Sequence, residues 1–213
     1  MFLVNFRKIL LYLHDVVLCS MSVEGVLILK NNSGVRKNYM YKDIFKNYKL
    51  IPREEYKKCS LSENEKTILC EEGLPDISED ILPWLTFNRN WPIFLNNNVQ
   101  RQFNYKFIVI AYSYELPICI GENNEIVSID LWFKEPIQYV NKNLESFLEY
   151  ISVYLTYYNK LEAVFDFDDS HEEERVGIVR EMRKELSNID KSAFDNVGNF
   201  WSEVLEQLED GLL

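Results

Sequence analysis

Three strand-like segments follow one another between Phe107 and Trp132, joined by short polar turns. FIVIAYS, residues 107–113, is a continuous apolar run and is expected to be a central strand. ELPICIGE follows, two asparagines make a turn, and EIVSIDLW forms the third segment. In that last segment, alternation puts Ile126, Ser128 and Asp130 on one face and Val127, Ile129 and Leu131 on the other. The expectation is a half-buried antiparallel meander with Asp130 facing solvent and Glu122–Glu125 as a hairpin loop. A calcium loop is disfavoured. It would need oxygen ligands at more regular spacing and usually a glycine at its sharp turn.

Helical signals surround this meander. Ser62-Glu63-Asn64-Glu65 reads as a capping box, with the hydroxyl and the carboxylate each taking a backbone N–H. The helix it opens carries Ile68 and Leu69 inward. It ends at Gly73, expected in a left-handed conformation, and Pro75 forbids continuation. After a short strand, IQYVN, either Asn141 or Asn143 caps the next helix. There Leu144, Phe147, Leu148, Ile151, Tyr154 and Leu155 recur at helical spacing. A further helix has Ile178, Val179, Met182 and Leu186 as its buried stripe. Its early acids and its bases Arg180, Arg183 and Lys184 complement the two ends of the dipole. The last, FWSEVLEQLEDG, turns Phe200, Trp201, Val204, Leu205 and Leu208 inward and stops at Gly211. Residues 81–87 and 91–95 read as short strands or irregular packing. EGVLILK, residues 24–30, reads as a strand closed by an NNSG turn.

Charge is unevenly distributed. The chain of 213 residues carries a net −11; Met1–Lys142 has 17 acids and 17 bases, whereas Asn143–Leu213 has 17 acids and 6 bases. Such a surface repels nucleic acid and anionic membrane and attracts basic partners. Four scattered cysteines and two histidines supply neither a zinc cluster nor a disulfide framework, so reduced thiols in a cytosol are expected. Neither a phosphate loop, a GxSxG elbow nor an HExxH pair is present. A carboxylate-pair hydrolase stays open, because its two acids need not be close in sequence. In MFLVNFRKILLYLHDVVLCS two bases precede an apolar run, but His14 and Asp15 break it and no small-residue cleavage site follows. The run is too short to span a bilayer. Residues 1–20 read either as an upstream extension before Met21 or as an extra amphipathic helix, and residues 21–213 as one domain.

Three segments carry a family resemblance. ILCEEGLPD has a glycine-leucine-proline helix exit. YVNKNLESFLEYISVY joins a strand ending in Val-Asn to a helix. IDKSAFDNVGNFWSEVLEQLEDGLL places Ile-Asp before a Phe-Trp helix. In order and spacing these resemble the SUKH immunity proteins, in particular their fourth subgroup, over about two-thirds of the chain. The loop GENNE departs from the pattern by lacking a glycine in its second half. The resemblance implies an α+β fold with a curved, mostly antiparallel sheet flanked by helices. It also implies a non-enzymatic bacterial protein, without cofactor or metal, that binds and neutralises a polymorphic toxin, often a nuclease or a nucleic-acid deaminase. On that basis the matched residues Gly73, Leu74, Pro75, Asn141, Phe147, Phe200 and Trp201 are expected to be structural, with Asn141 as a cap. The expected partner contacts are Asp166, Asp168, Asp169, Glu172, Glu173 and Glu174, facing a basic toxin in the cytoplasm. A fold does not by itself fix a function, so a scaffold or regulatory adaptor that uses the same fold without a toxin partner stands as the alternative expectation.

Overall fold

The computed structural model describes residues 50–56, 59–75, 82, 84–87, 93–94, 103, 105, 107–130, 136–164 and 171–212. All lie within the unit Asn38–Leu213. The expected leader, the EGVLILK strand, residues 131–132 and Asp166, Asp168 and Asp169 fall outside the described residues.

The described strands are β1 (Leu85–Phe87), β2 (Ile93–Phe94), β3 (Ile108–Ser113), β4 (Leu116–Ile120), β5 (Ile126–Ile129) and β6 (Ile137–Asn141). They form one open sheet in the order β1-β3-β4-β5-β6, and every pairing is antiparallel. β1 and β2 lie along the same edge of β3: Phe87 faces Ala111, and Ile93 faces Val109. The apolar run that suggested a central strand is therefore hydrogen-bonded on both sides.

Two register shifts decide what faces the core. Between β3 and β4 the pairing jumps from Val109↔Cys119 to Ala111↔Ile118, which leaves Ile110 as the extra residue. Between β5 and β6 it jumps from Ile126↔Asn141 to Val127↔Tyr139, which leaves Val140 extra. A bulge sends two consecutive side chains to one side. Ile110 and Ala111 thus both enter the main core, and so do Val140 and the side chain of Asn141. The opposite face carries a second apolar cluster of Phe107, Val109, Cys119, Val127 and Ile129. This corrects the half-buried expectation: all four residues of β5 are buried, and Asp130 lies past the strand end, partly covered, its N–H donating to the Pro136 carbonyl at 2.8 Å.

Four helices are described: α1 (Glu63–Thr67), α2 (Leu144–Val164), α3 (Glu172–Ile189) and α4 (Phe200–Glu209). α2 packs against α3, and α3 against α4. α2 buries more than the stripe read from its sequence, since Tyr150, Val153, Tyr157 and Leu161 are also covered. α4 buries the five residues expected of it. It ends in a Schellman arrangement, in which Gly211 at φ +68° donates to Leu208 O and Leu212 donates to Gln207 O.

α1 departs from expectation in three ways. It widens into a π-turn over Ile68–Glu72, closed by Gly73 N–H on Ile68 O at 2.6 Å. Gly73 has φ +86° and ψ 164°, an extended positive-φ conformation and not the left-handed helical one. That region is nearly exclusive to glycine, so the sequence signal survives with a different geometry. The capping box is half made. Ser62 Oγ accepts from Glu65 N–H, but the Ser62 N–H goes to Asn124 Oδ1 at 2.9 Å, leaving Glu65 free to turn elsewhere. Asn124 sits at φ +66°, the left-handed conformation for which a glycine was missed in the GENNE loop. Through Asn124 the Gly121–Glu125 loop thus holds the start of α1.

Candidate functional site

Two of the three segments that carry the family resemblance, YVNKNLESFLEYISVY and the one that opens IDKSAF, meet at one buried polar knot. Asp190, at the end of α3, is its hub. One carboxylate oxygen accepts from Lys142 N–H at 2.7 Å, from the Tyr139 hydroxyl at 3.2 Å and from Asn141 Nδ2 at 3.3 Å. The other accepts from Ser192 N–H at 3.2 Å and from the Ser192 hydroxyl. The Asp190 carbonyl takes the Tyr150 hydroxyl from α2. Asn141 Oδ1 in turn accepts the Trp201 indole N–H at 2.9 Å. Lys142 Nζ donates to Ile189 O at 2.7 Å, placing a cation at the C-terminus of α3. Burial drives the phenols of Tyr139 and Tyr150 above their usual range, Tyr139 to about 12, so both stay protonated donors.

This geometry corrects the expected cap. Asn143, not Asn141, caps α2, its Oδ1 accepting from Ser146 N–H at 2.9 Å. The bulge at Val140 has turned Asn141 into the core, where it bridges Asp190 and Trp201. Leu74 and Pro75 are buried beside the glycine exit, and Phe147, Phe200 and Trp201 sit in the main core. Gly73, Leu74, Pro75, Asn141, Phe147, Phe200 and Trp201 are thus all buried. The sequence reading missed Asp190 as hub, although Asp-Lys-Ser at 190–192 has the spacing at which an aspartate takes the N–H two residues on.

Glu65 was also missed. Its side chain is only 2% exposed, Oε2 has no hydrogen-bond partner, and the carboxyl lies against the Leu144 N–H that opens α2. Burial raises its pKa above 4.5, opposed by N–H donation from Glu65 itself and Leu144 and reinforced by the charge of Glu145. A raised folded-state pKa means the folded chain holds this proton more tightly than the unfolded chain. The stability that proton confers is full below the unfolded pKa and is lost as pH rises through the folded one. Glu65→Gln should therefore raise stability at pH 7 by about 1–2 kcal/mol and change it little near pH 4. Urea unfolding at the two pH values checks the sign; equal effects at both would place the carboxylate in a solvated setting.

The expected partner contacts divide. Glu172, Glu173 and Glu174 are exposed in the first turn of α3, where the helix dipole favours them. Successive helical positions diverge by about 100°, so these acids do not converge on an ion. Among the described residues, no group of three His, Cys, Asp or Glu side chains is placed to hold a metal. His171 Nδ1 lies 3.5 Å from Glu174 Oε2. Arg180, Arg183 and Lys184 sit toward the middle of α3 rather than in its last turn, because the helix runs on to Ile189. Arg175 is buried with its Nε donating to Glu209 O at 3.3 Å, and Arg183 lies over the Phe194 ring at 5.2 Å. Two of the few bases after Asn143 are thus turned toward neighbouring elements, which leaves the outer surface of this third richer in acids.

No described helix is long and apolar enough to cross a membrane. No curated protein and no solved structure matches the chain. The model of the SUKH-4 immunity protein family matches residues 49–207, from just before the 3-10 turn at Arg53–Tyr56 to the last turn of α4. That span contains the glycine exit, the bulged β6, the Asp190 knot and the Trp201 anchor, so the chain belongs to the SUKH-4 immunity protein family.

Proposed function

We propose that the protein acts in the cytoplasm by binding a cognate polymorphic toxin, a nuclease or nucleic-acid deaminase, and covering its working surface without chemistry of its own. The observation that carries this reading is the family match across residues 49–207. The charge pattern supports it: the entire net −11 lies after Asn143, and the exposed start of α3 adds Glu172, Glu173 and Glu174 to Asp166, Asp168 and Asp169 in sequence. A toxin that grips nucleic acid presents a basic groove, and an acidic surface speeds encounter with it.

Co-expression with the toxin encoded by the adjacent reading frame tests the reading. Survival and co-purification are expected; a toxin that kills regardless, and is not retained, would overturn it. Replacing the six acids by Asn or Gln should slow association about 10-fold at low salt and flatten its dependence on ionic strength. Stopped-flow association at several salt concentrations measures this, and an unchanged slope would remove the steering role.

A further inference from the structure

β6 ends the sheet, and β5 is its sole partner among the described strands. Antiparallel neighbours alternate between pairs that exchange backbone hydrogen bonds and pairs that exchange none. Asp130 N–H donates to the Pro136 carbonyl at 2.8 Å, so that pair is bonded and fixes the phase of the ladder. The next pair, Ile129↔Ile137, is then unbonded, Ser128↔Gln138 bonded and Val127↔Tyr139 unbonded. The β4–β5 ladder agrees. Gly121 N–H donates to Glu125 O at 2.8 Å, which makes Cys119↔Val127 a bonded pair and turns the Val127 backbone toward β4. The N–H and C=O groups of Ile137 and Tyr139 therefore point away from β5, out of the edge of the sheet. No described residue hydrogen-bonds these four groups from the outer side.

Edges of this kind are usually blunted by charge, proline or a bulge. Here Pro136 closes one end and the bulge at Val140 the other, while Ile137, Gln138 and Tyr139 between them carry no charge. Ile137 is 40% exposed. The turn at residues 195–198 lies alongside, because Gln138 Nε2 donates to Gly198 O at 3.0 Å. Asn196 holds this turn. Its Oδ1 accepts from Gly198 N–H at 2.9 Å, and its carbonyl accepts from Asn199 N–H at 3.0 Å and from the Ser202 hydroxyl at 2.9 Å. Val197 stands on the turn, 85% exposed. Between residues 191 and 206 the chain has one base, Lys191, against three exposed acids, Asp195, Glu203 and Glu206.

We infer that the outer edge of β6 at residues 137–139 receives an extended segment of a cationic protein, which adds to the sheet as a further strand. The open groups of Ile137 and Tyr139 supply four backbone hydrogen bonds to it. Pro136 and the Val140 bulge confine the pairing to this stretch and so set its register. Asp195, Glu203 and Glu206 favour lysine or arginine beside the added strand, and Val197 gives it an apolar contact. A second copy of this chain would instead bring the same acids together. The inference rests on the immunity reading: the segment belongs to the toxin, and the edge is a contact region distinct from the start of α3.

Residue-resolved amide hydrogen exchange tests this on the wild-type chain. In the free protein the Ile137 and Tyr139 amides should exchange about 10-fold faster than that of Gln138, which is bonded to β5. With a catalytically inactive form of the neighbouring toxin bound, both should slow by about 10-fold or more. Ile137→Pro removes the outward donor and no bond within the chain, so its Tm should stay within about 3 °C of wild type. Its affinity for the same inactive toxin should fall about 10-fold. Ile137→Ala keeps the donor and should bind within about 3-fold of wild type. Toxin binding that slows neither amide would overturn the added strand and leave the immunity reading standing. Wild type that fails to bind the toxin would overturn both. Slow exchange at Ile137 and Tyr139 in the free chain would also overturn the inference: if dilution restores fast exchange, a second copy of this chain occupies the edge, and if it does not, the chain covers the edge itself.

Discussion

Asp190→Ala should cost about 3–5 kcal/mol, a large part of the 5–15 kcal/mol that holds a domain of this kind together. The reason is the number of donors it leaves behind. Lys142 N–H, Asn141 Nδ2, the Tyr139 hydroxyl, Ser192 N–H and the Ser192 hydroxyl all point at this one carboxylate. They come from the end of β6 with the adjoining turn into α2 and from the 3-10 turn Lys191–Phe194, two groups distant from each other in sequence. With the carboxylate gone these donors stay buried, and each unsatisfied group costs about 1–3 kcal/mol before relaxation or water entry recovers part of it. Asp190→Asn should be milder, because it keeps the shape and one acceptor while turning an amide N–H₂ toward other donors. Urea unfolding gives both numbers. A loss below about 1 kcal/mol for the alanine variant would show that water replaces the carboxylate and that the knot does not join these elements.

Trp201→Ala should be of comparable size, about 3–5 kcal/mol. Trp201 is fully buried and touches Tyr150, Phe200 and Trp84, with ring centroids 5.2, 5.4 and 6.2 Å away. Truncation opens a cavity between α2, α4 and the start of β1, and it also strips Asn141 Oδ1 of its donor. At about 2–4 °C per kcal/mol for a chain of this length, Tm should fall by roughly 6–20 °C. Trp201→Phe separates the two losses, since it fills most of the space but carries no N–H. Because Asn141 joins Trp201 to Asp190, substitutions at positions 190 and 201 should not be additive.

Helix and strand periods brought much of the fold into view from sequence. The FIVIAYS segment is central, α4 buries the five side chains its period picks out, and Gly211 stops it. What alternation does not reveal is a bulge. Ile110 and Val140 each shift their strand by one residue, and the second shift carries Asn141 from a helix cap into the core. Ser62 and Glu65 have the spacing of a reciprocal cap, yet Asn124, 62 residues away, takes the Ser62 N–H instead. Local spacing cannot anticipate a competitor that the fold delivers from a distance. The same holds for Asp190: its neighbours in sequence suggest a turn, and only the tertiary arrangement gathers donors from β6 and α2 around it. The candidate contacts were legible only as a charge imbalance.

The claim that everything functional depends on is occlusion without turnover. Purified protein titrated into a fixed amount of the neighbouring toxin, with residual toxin activity measured after short and long incubation, tests it most directly. The expected result is a linear loss of activity that ends at a fixed molar ratio and is the same at both times. Inactivation that continues with time at a small fraction of that ratio would mean that the protein alters the toxin chemically, and would contradict the claim.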